Sequence, residues 1–334
     1  MTTEIRLHSE EAIIQEFLAP LAAAAPGALG LKDDCAVAAP SPGCEFILKT
    51  DAIAEGVHFL PHDPPAAIGW KALAVNVSDL AAKGARPVGY LMSLAFPEPP
   101  TRDWMSAFVS GLAEAQRAFD IHLLGGDTDR RPGPISITPT VLGEAPIGRM
   151  VRRAAARAGD LVCVSGTLGD AGLGLALQRD PATGQSWALD SGDAAHLVQR
   201  FLRPQPRLAL RTALLDHARA SMDISDGLLK DLGRMCRASG VGAVVLRSDL
   251  PLSPAFRTVQ RVAPAAASQA LFAGDDYEIL TAVSPESFPS YVEAARIAGV
   301  TITRVGHFTS GPDVELHDRD GGIIDVGRSG WDHF

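Results

Sequence analysis

Short apolar runs that stop at aspartate recur along this sequence, and that punctuation constrains the fold more than any single motif. "CEFILKTD" closes on Thr50-Asp51 and "IHLLGGDTD" on Asp127-Thr128-Asp129. "ALGLKDDC" carries Asp33-Asp34, "AVNVSDL" carries Asp79, "MDISDGL" carries Asp223 and Asp226, and "LFAGDDYEI" carries Asp275-Asp276. Most of these acids follow an apolar stretch or precede a helical pattern. Such positions place oxygens at the ends of rigid elements, where a cleft can use them.

The segments between the acids read as alternating strands and helices. Residues 10 to 24 suit an opening helix whose length Pro20 limits. "CEFILKTD" and "VGYLMSLAF" read as strands. Ala-rich "AAIGWKALAVNVSDLAAKGA" reads as helix, and "TRDWMSAFVSGLAEAQRAFD" as an amphipathic helix starting near Thr101. "ISITPTVLG" completes the first alternating region, and a boundary falls near residue 150. Beyond it, "LVCVSGTLGDAGLGLALQ" passes from strand through a glycine turn to helix. Helices follow around 193 to 201 and 207 to 218, then a strand in "GAVVLRS", a helix in "FPSYVEAARIAG" and a glycine-rich end. The expectation is an α+β chain of two domains, 1–150 and 151–334, without the regular alternation of a barrel. "NVSDLAAKGA" and "DISDGLLKDL" echo each other, as two similar helix caps would.

Composition removes several function classes. A chain of 334 residues suits two ordinary domains, and its net charge of −9 argues against general adhesion to nucleic acid or anionic membrane. Cys35, Cys44, Cys163 and Cys236 form no CxxC pair and read as thiols of a reducing compartment. The acidic start lacks the order of a signal peptide, and "FLAPLAAAAPGALGL" is too short and too proline-broken to span a membrane. A cytoplasmic enzyme or binding protein is the expectation.

Aspartates brought together repel unless a cation compensates, and hard oxygen donors suit Mg²⁺, which keeps waters and binds phosphate. Each acid also has a plainer reading as a turn or cap. Asp33-Asp34 can form a turn, Asp79 can cap, and Ser225 or Asp226 can satisfy the first amides of the following helix. Gly125-Gly126 could let phosphate approach the main chain, whereas the later "GTLGDAGLG" lacks a P-loop ending and fits a turn with tight helix packing. Arg149 could meet polyphosphate or sit in a solvated ion pair. His58 could contact a polar ligand or pack in the core, and Cys163 suits packing inside a strand.

Taken in order, "LKDDCAV", "KTDAIAEGVHFLP", "NVSDLAAKGA", "LLGGDT", "GRMVRRAAARAGD", "MDISDGLLKDL", "GDDYEI" and terminal "GWDHF" resemble the thiamine-monophosphate kinase family over almost the whole chain. That family lies within the aminoimidazole ribonucleotide synthetase-like superfamily. The resemblance implies a ferredoxin-like N-terminal domain that binds ATP and metal and pairs in a homodimer. It also implies an α/β C-terminal domain that completes the active site. The implied reaction is ATP-dependent phosphorylation of thiamine monophosphate to thiamine diphosphate, with Mg²⁺ as cofactor.

Carried onto this chain, the metal pattern falls on Asp33, Asp34, Thr50, Asp51, Asp79, Asp127, Asp223 and Asp226. Gly126, Asp127, Arg149 and Ser225 become nucleotide contacts, and His58, Asp275 and Trp331 contacts for the thiamine phosphate. No side chain is implied as a covalent catalyst. Three positions depart from the pattern. Lys32 stands where glycine is common, Lys49 where a small polar residue is common, and Asp275 where the motif usually has Glu. A related ATP-using enzyme with another acceptor and a noncatalytic nucleotide-binding protein are the competing readings.

Overall fold

The computed structural model describes residues 5–325 and Gly330. Trp331 lies outside the described residues. By compactness the chain forms two units. The first holds Met1–Leu80 and Ala85–Gly148, and the second holds Ala81–Gly84 and Arg149–Phe334.

The first unit opens with α1 (Glu10–Ile13), a π-helical turn (Ile14–Leu18) and α2 (Ala19–Ala22). The single helix expected over this stretch is therefore broken into three pieces. Pro20 sits in the first turn of α2, where its missing N–H costs nothing. Next come β1 (Cys44–Thr50), β2 (Ile53–Ala54), α3 (Pro65–Ala82), β3 (Arg86–Phe96), α4 (Arg102–Phe119), β4 (His122–Arg130) and β5 (Ser136–Pro146). The sheet runs β1-β5-β3-β4, with β2 added to β5. Only β3 and β4 pair in parallel, as their connection through α4 requires.

α4 shows how the sequence sets this layer. Thr101 caps it by accepting from the Trp104 N–H at 3.2 Å, and Met105, Phe108, Leu112, Ala115 and Phe119 form its buried stripe. α3 is buried along nearly its whole length, which is why alanine dominates it. Asn76 and Ser78 are fully buried within it. In β5, buried Ile137, Pro139 and Val141 alternate with half-buried Thr138, Thr140 and Leu142. On neighbouring strands Leu48 is 67% exposed and Leu91 41%.

The second unit contains β6 (Leu161–Ser165), α5 (Asp170–Arg179), α6 (Thr183–Ser186), α7 (Ser191–Leu202), α8 (Arg211–His217), β7 (Ala218–Asp223) and α9 (Leu228–Ser239). It continues through β8 (Gly242–Leu246), α10 (Pro254–Val262), α11 (Pro264–Ala270), β9 (Ile279–Val283), α12 (Phe288–Ile297), β10 (Ile302–Thr309) and β11 (Val314–His317). Its sheet runs β11-β8-β10-β6-β9-β7. β6 contributes side chains to a core on each of its faces. Val162 and Val164 join one core with Leu173, Leu232 and Phe256, while Leu161 and Cys163 join another with Leu214 and Tyr291. A strand buried on both faces must be apolar throughout, and "LVCV" is. The glycine-rich end carries β10 and β11. β10 carries a register shift between Arg304 and Gly306 that interrupts its alternation. Among the described residues no helix is long and apolar enough to cross a membrane.

Candidate functional site

In the first unit the anticipated acids fall into two groups. One lines a cleft of about 760 Å³, whose wall includes Asp33, Asp34, Gly126, Asp127, Thr128 and Thr138. Asp33 and Asp34 lie in an exposed loop, where the Asp33 carboxylate accepts from the Cys35 N–H at 3.4 Å. Asp127 stands in β4, level with Ser93 of β3. The need for glycine at 126 comes from sheet packing, because a Cβ there would lie 1.9 Å from the Met92 carbonyl oxygen.

The other group gathers at the end of β1. The Asp51 N–H donates to Asn76 Oδ1 at 2.7 Å, and Asn76 Nδ2 donates to the Asp51 carbonyl at 3.1 Å and to the Ala72 carbonyl at 3.1 Å. A fully buried amide on α3 thus fixes the backbone of Asp51 from both sides. Lys49 Nζ bridges the carboxylates of Asp51 and Asp79, at 2.8 and 2.7 Å. Burial alone would lower the Lys49 pKa, but Asp79 and Asp51 outweigh it and raise it. The Thr50 hydroxyl donates to the Pro139 carbonyl at 3.0 Å and accepts from Thr140 at 3.1 Å. Half-buried His58 accepts the Ala54 N–H on Nδ1 at 3.1 Å, which in neutral imidazole leaves the proton on Nε2.

The second unit holds its acids differently. Asp223 ends β7 and is 4% exposed. The following loop runs beside the "GDDYE" segment, joined to it by main-chain bonds. Ile224 N–H donates to the Glu278 carbonyl, Tyr277 N–H to the Ile224 carbonyl and Asp275 N–H to the Ser225 carbonyl, each at 2.8 Å. Gly274, at φ +93°, permits this approach, since a Cβ there would lie 2.4 Å from the Ser225 carbonyl oxygen. Asp275 and Tyr277 both have positive φ, 62° and 50°, and the Tyr277 hydroxyl donates to Asp275 Oδ1 at 3.1 Å. Two non-glycine residues in that region within three positions mark a backbone held by its surroundings.

The cap expected from Ser225 or Asp226 is not formed. Gly227 is the N-cap residue of α9, and no side chain caps the helix there. Asp231 reaches back from the helix instead, its Oδ2 accepting from Ser225 N–H at 3.0 Å and Asp226 N–H at 2.9 Å. Arg234 then joins the carboxylates of Asp226 and Asp231. The last residue of "GDDYE", fully buried Glu278, is bonded by Arg200, by Arg207 and by the Ser165 hydroxyl. Burial pushes the Asp276 carboxyl well above the usual range. Its Oδ1 accepts from the Gly169 N–H at 2.8 Å.

Arg149 donates to the Leu215 carbonyl at 2.7 Å and approaches Asp216 at 3.4 Å, on an exposed surface. Burial raises the Cys163 thiol to about 12, which suits packing and not nucleophilic chemistry. Asn76, Asp231, Arg200 and Arg207 escaped the sequence reading, and Glu278 entered it only as the end of the "GDDYE" motif. Only Asn76 left a local trace, as an amide inside an alanine-rich helix.

Oxygen donors dominate both units, and Lys49 already shows one cation shared by two carboxylates. Those donors suit a hard ion that keeps waters and phosphate oxygens among its ligands. Among the described residues no group of three His, Cys, Asp or Glu side chains is placed to hold an ion by itself.

The family profile described as AIR synthase related protein, N-terminal domain, matches residues 32–145, and that of the C-terminal domain matches residues 157–319. A thiamine-monophosphate kinase of Caulobacter vibrioides is 38% identical over 323 residues, covering 96% of this chain and 89% of the relative. The crystal structure of thiamine-monophosphate kinase from Stenotrophomonas maltophilia K279a superposes with a TM-score of 0.82 at 34% identity, covering 96% of this chain and all of that one. The structure described as AaThiL complexed with AMPPCP and TMP gives a TM-score of 0.76 at 34% identity, covering 90% of this chain and 91% of that one. With this fold, the two AIR synthase related profiles and that identity over nearly its full length, the chain belongs to the thiamine-monophosphate kinase family.

Proposed function

We propose that this chain transfers the γ-phosphoryl group of ATP to thiamine monophosphate, releasing thiamine diphosphate and ADP. The observation that carries the reading is the 38% identity to a thiamine-monophosphate kinase over 96% of the chain. The acids at element ends agree with it, since phosphoryl transfer needs positioning and charge neutralisation more than covalent chemistry.

In this reading the first unit binds nucleotide and metal. Asp33, Asp34, Thr50, Asp51, Asp79 and Asp127 are its candidate ligands, with Gly126 beside the phosphates. Asp223 and Asp226 of the second unit add to the ligand set. Mg²⁺, when bound, neutralises charge on the transferring phosphates. Ser225 and Arg149 contact the nucleotide. His58 donates from Nε2 to the acceptor, and Asp275 and Trp331 complete the acceptor contacts. An oxygen of the acceptor phosphate is itself the nucleophile, so transfer is direct and in line without a phosphoenzyme. The high pKa of the Cys163 thiol agrees with that absence of a covalent step. The first unit also pairs with a second copy. Exposed Leu48 and Leu91 on its sheet support this, and light scattering on the purified protein tests it.

The deciding experiment follows thiamine diphosphate formed from ATP and thiamine monophosphate, with Mg²⁺ or chelator, and with thiamine as a control acceptor. Metal-dependent product from the monophosphate alone is the expected result. Turnover of another phosphate acceptor without this product would redirect the assignment.

A further inference from the structure

We infer that Lys49 is a tethered counter-ion, which occupies the Asp51–Asp79 carboxylate pair in the metal-free protein and is exchanged for a divalent cation on loading. The inference rests on the proposed metal role of those two acids and concerns how this chain tunes it.

The backbone that carries one of the two carboxylates is held in place. Asn76 pins the Asp51 backbone through both its N–H and its carbonyl, and is itself bonded to Ala72 one turn earlier in α3. Asp79 is three residues beyond Asn76 on the same helix, so both stand on one face of α3. Lys49 lies two residues before Asp51, hence on the same side of the extended chain. Its ammonium contacts both acids at 2.8 and 2.7 Å, with its side chain only 28% exposed.

One monovalent group therefore occupies two carboxylates that are candidate ligands for a divalent ion. Ammonium and metal compete for them, so loading at this pair displaces Lys49. Two effects follow from that competition. The pair is compensated before metal arrives, which stabilises the metal-free fold. Metal affinity at this pair is correspondingly weakened, because the coupling between two ligands of one site is reciprocal.

The test uses the full chain and measures Mn²⁺ binding by paramagnetic resonance, with and without ADP. Melting in chelator is recorded for the same proteins. Lys49→Ala should bind Mn²⁺ roughly fivefold to tenfold more tightly than wild type and melt lower in chelator. Lys49→Arg, which keeps the charge, should stay near wild type in both. Should Lys49→Ala bind Mn²⁺ equally or more weakly while wild type binds it well, the exchange is refuted and the metal role of the acids survives. If neither protein binds Mn²⁺, the metal role fails and the exchange with it. A Lys49→Ala chain that melts without cooperativity moves the reading to Lys49→Gln, judged by the same two outcomes.

Discussion

Asp51 and Asp79 of the first unit are held by a side-chain amide and an ammonium, whereas the "DISD" and "GDDYE" acids of the second ride on segments joined by main-chain bonds. At the end of β1, one amide and one ammonium hold Asp51 and Asp79, and the carboxylates remain open to exchange. In the second unit three backbone bonds fix the "DISD" and "GDDYE" segments together, and arginines already occupy Asp226 and Glu278. Carboxylates are thus met by one shared lysine in one place and by arginines on a main-chain frame in the other. Substitutions should separate along that line.

The largest effect belongs to Glu278→Ala, which strands Arg200 and Arg207 around a vacated buried site. Losing one partner of a buried ion pair costs about 3–5 kcal/mol, so urea unfolding should show a loss of that order. A loss below about 1 kcal/mol would break the comparison at its strongest point. Next is Asp127→Asn, whose Mg²⁺-dependent turnover should fall about 100-fold while the melting temperature moves by no more than about 2 °C. Near-normal turnover at limiting Mg²⁺ would remove Asp127 from its proposed role.

Asn76→Ala sharpens the contrast, because it removes the brace without touching an acid. Leaving the Asp51 amide and carbonyl unpaired should cost about 1–3 kcal/mol and raise the Mg²⁺ concentration for half-maximal turnover. An unchanged metal requirement would show that the position of Asp51 does not depend on α3. The smallest effect concerns His196. Its hydrogen bond to Asp170 raises its pKa above the ordinary 6.5. A raised folded-state pKa stabilises fully below pH 6.5, and that contribution is lost as pH rises through the folded value. His196 is 48% exposed, so solvent screening keeps the difference between wild type and His196→Gln below about 1 kcal/mol at pH 5.5. The difference should shrink as pH rises, and a gap that grows with pH would contradict the sign.

Local signals were the legible ones. The α4 stripe, its Thr101 cap and the doubly buried "LVCV" strand follow from spacing and composition. The acids announced themselves by recurrence. Their surroundings did not, because the groups that answer them come from distant parts of the chain. Arg200 and Arg207 meet Glu278 from more than seventy residues away. Asp231 displaced the anticipated cap because a helix side chain can serve two loop amides at once, which short-range capping patterns do not register. β10 was hidden by its own register shift, and the opening helix by a π-turn that no residue type signals.

The main-chain pairing in the second unit also bears on the order of folding. Asp223 meets Ile279 across β7 and β9, strands between which the chain forms α9, β8, α10 and α11. Closing so long a loop is entropically slow, and contacts of that kind form late. In the nascent chain the "DISD" and "GDDYE" acids are therefore strangers. They meet only once β9 has emerged and docked, when Arg200, Arg207 and Arg234, the partners of Glu278 and Asp226, are already made.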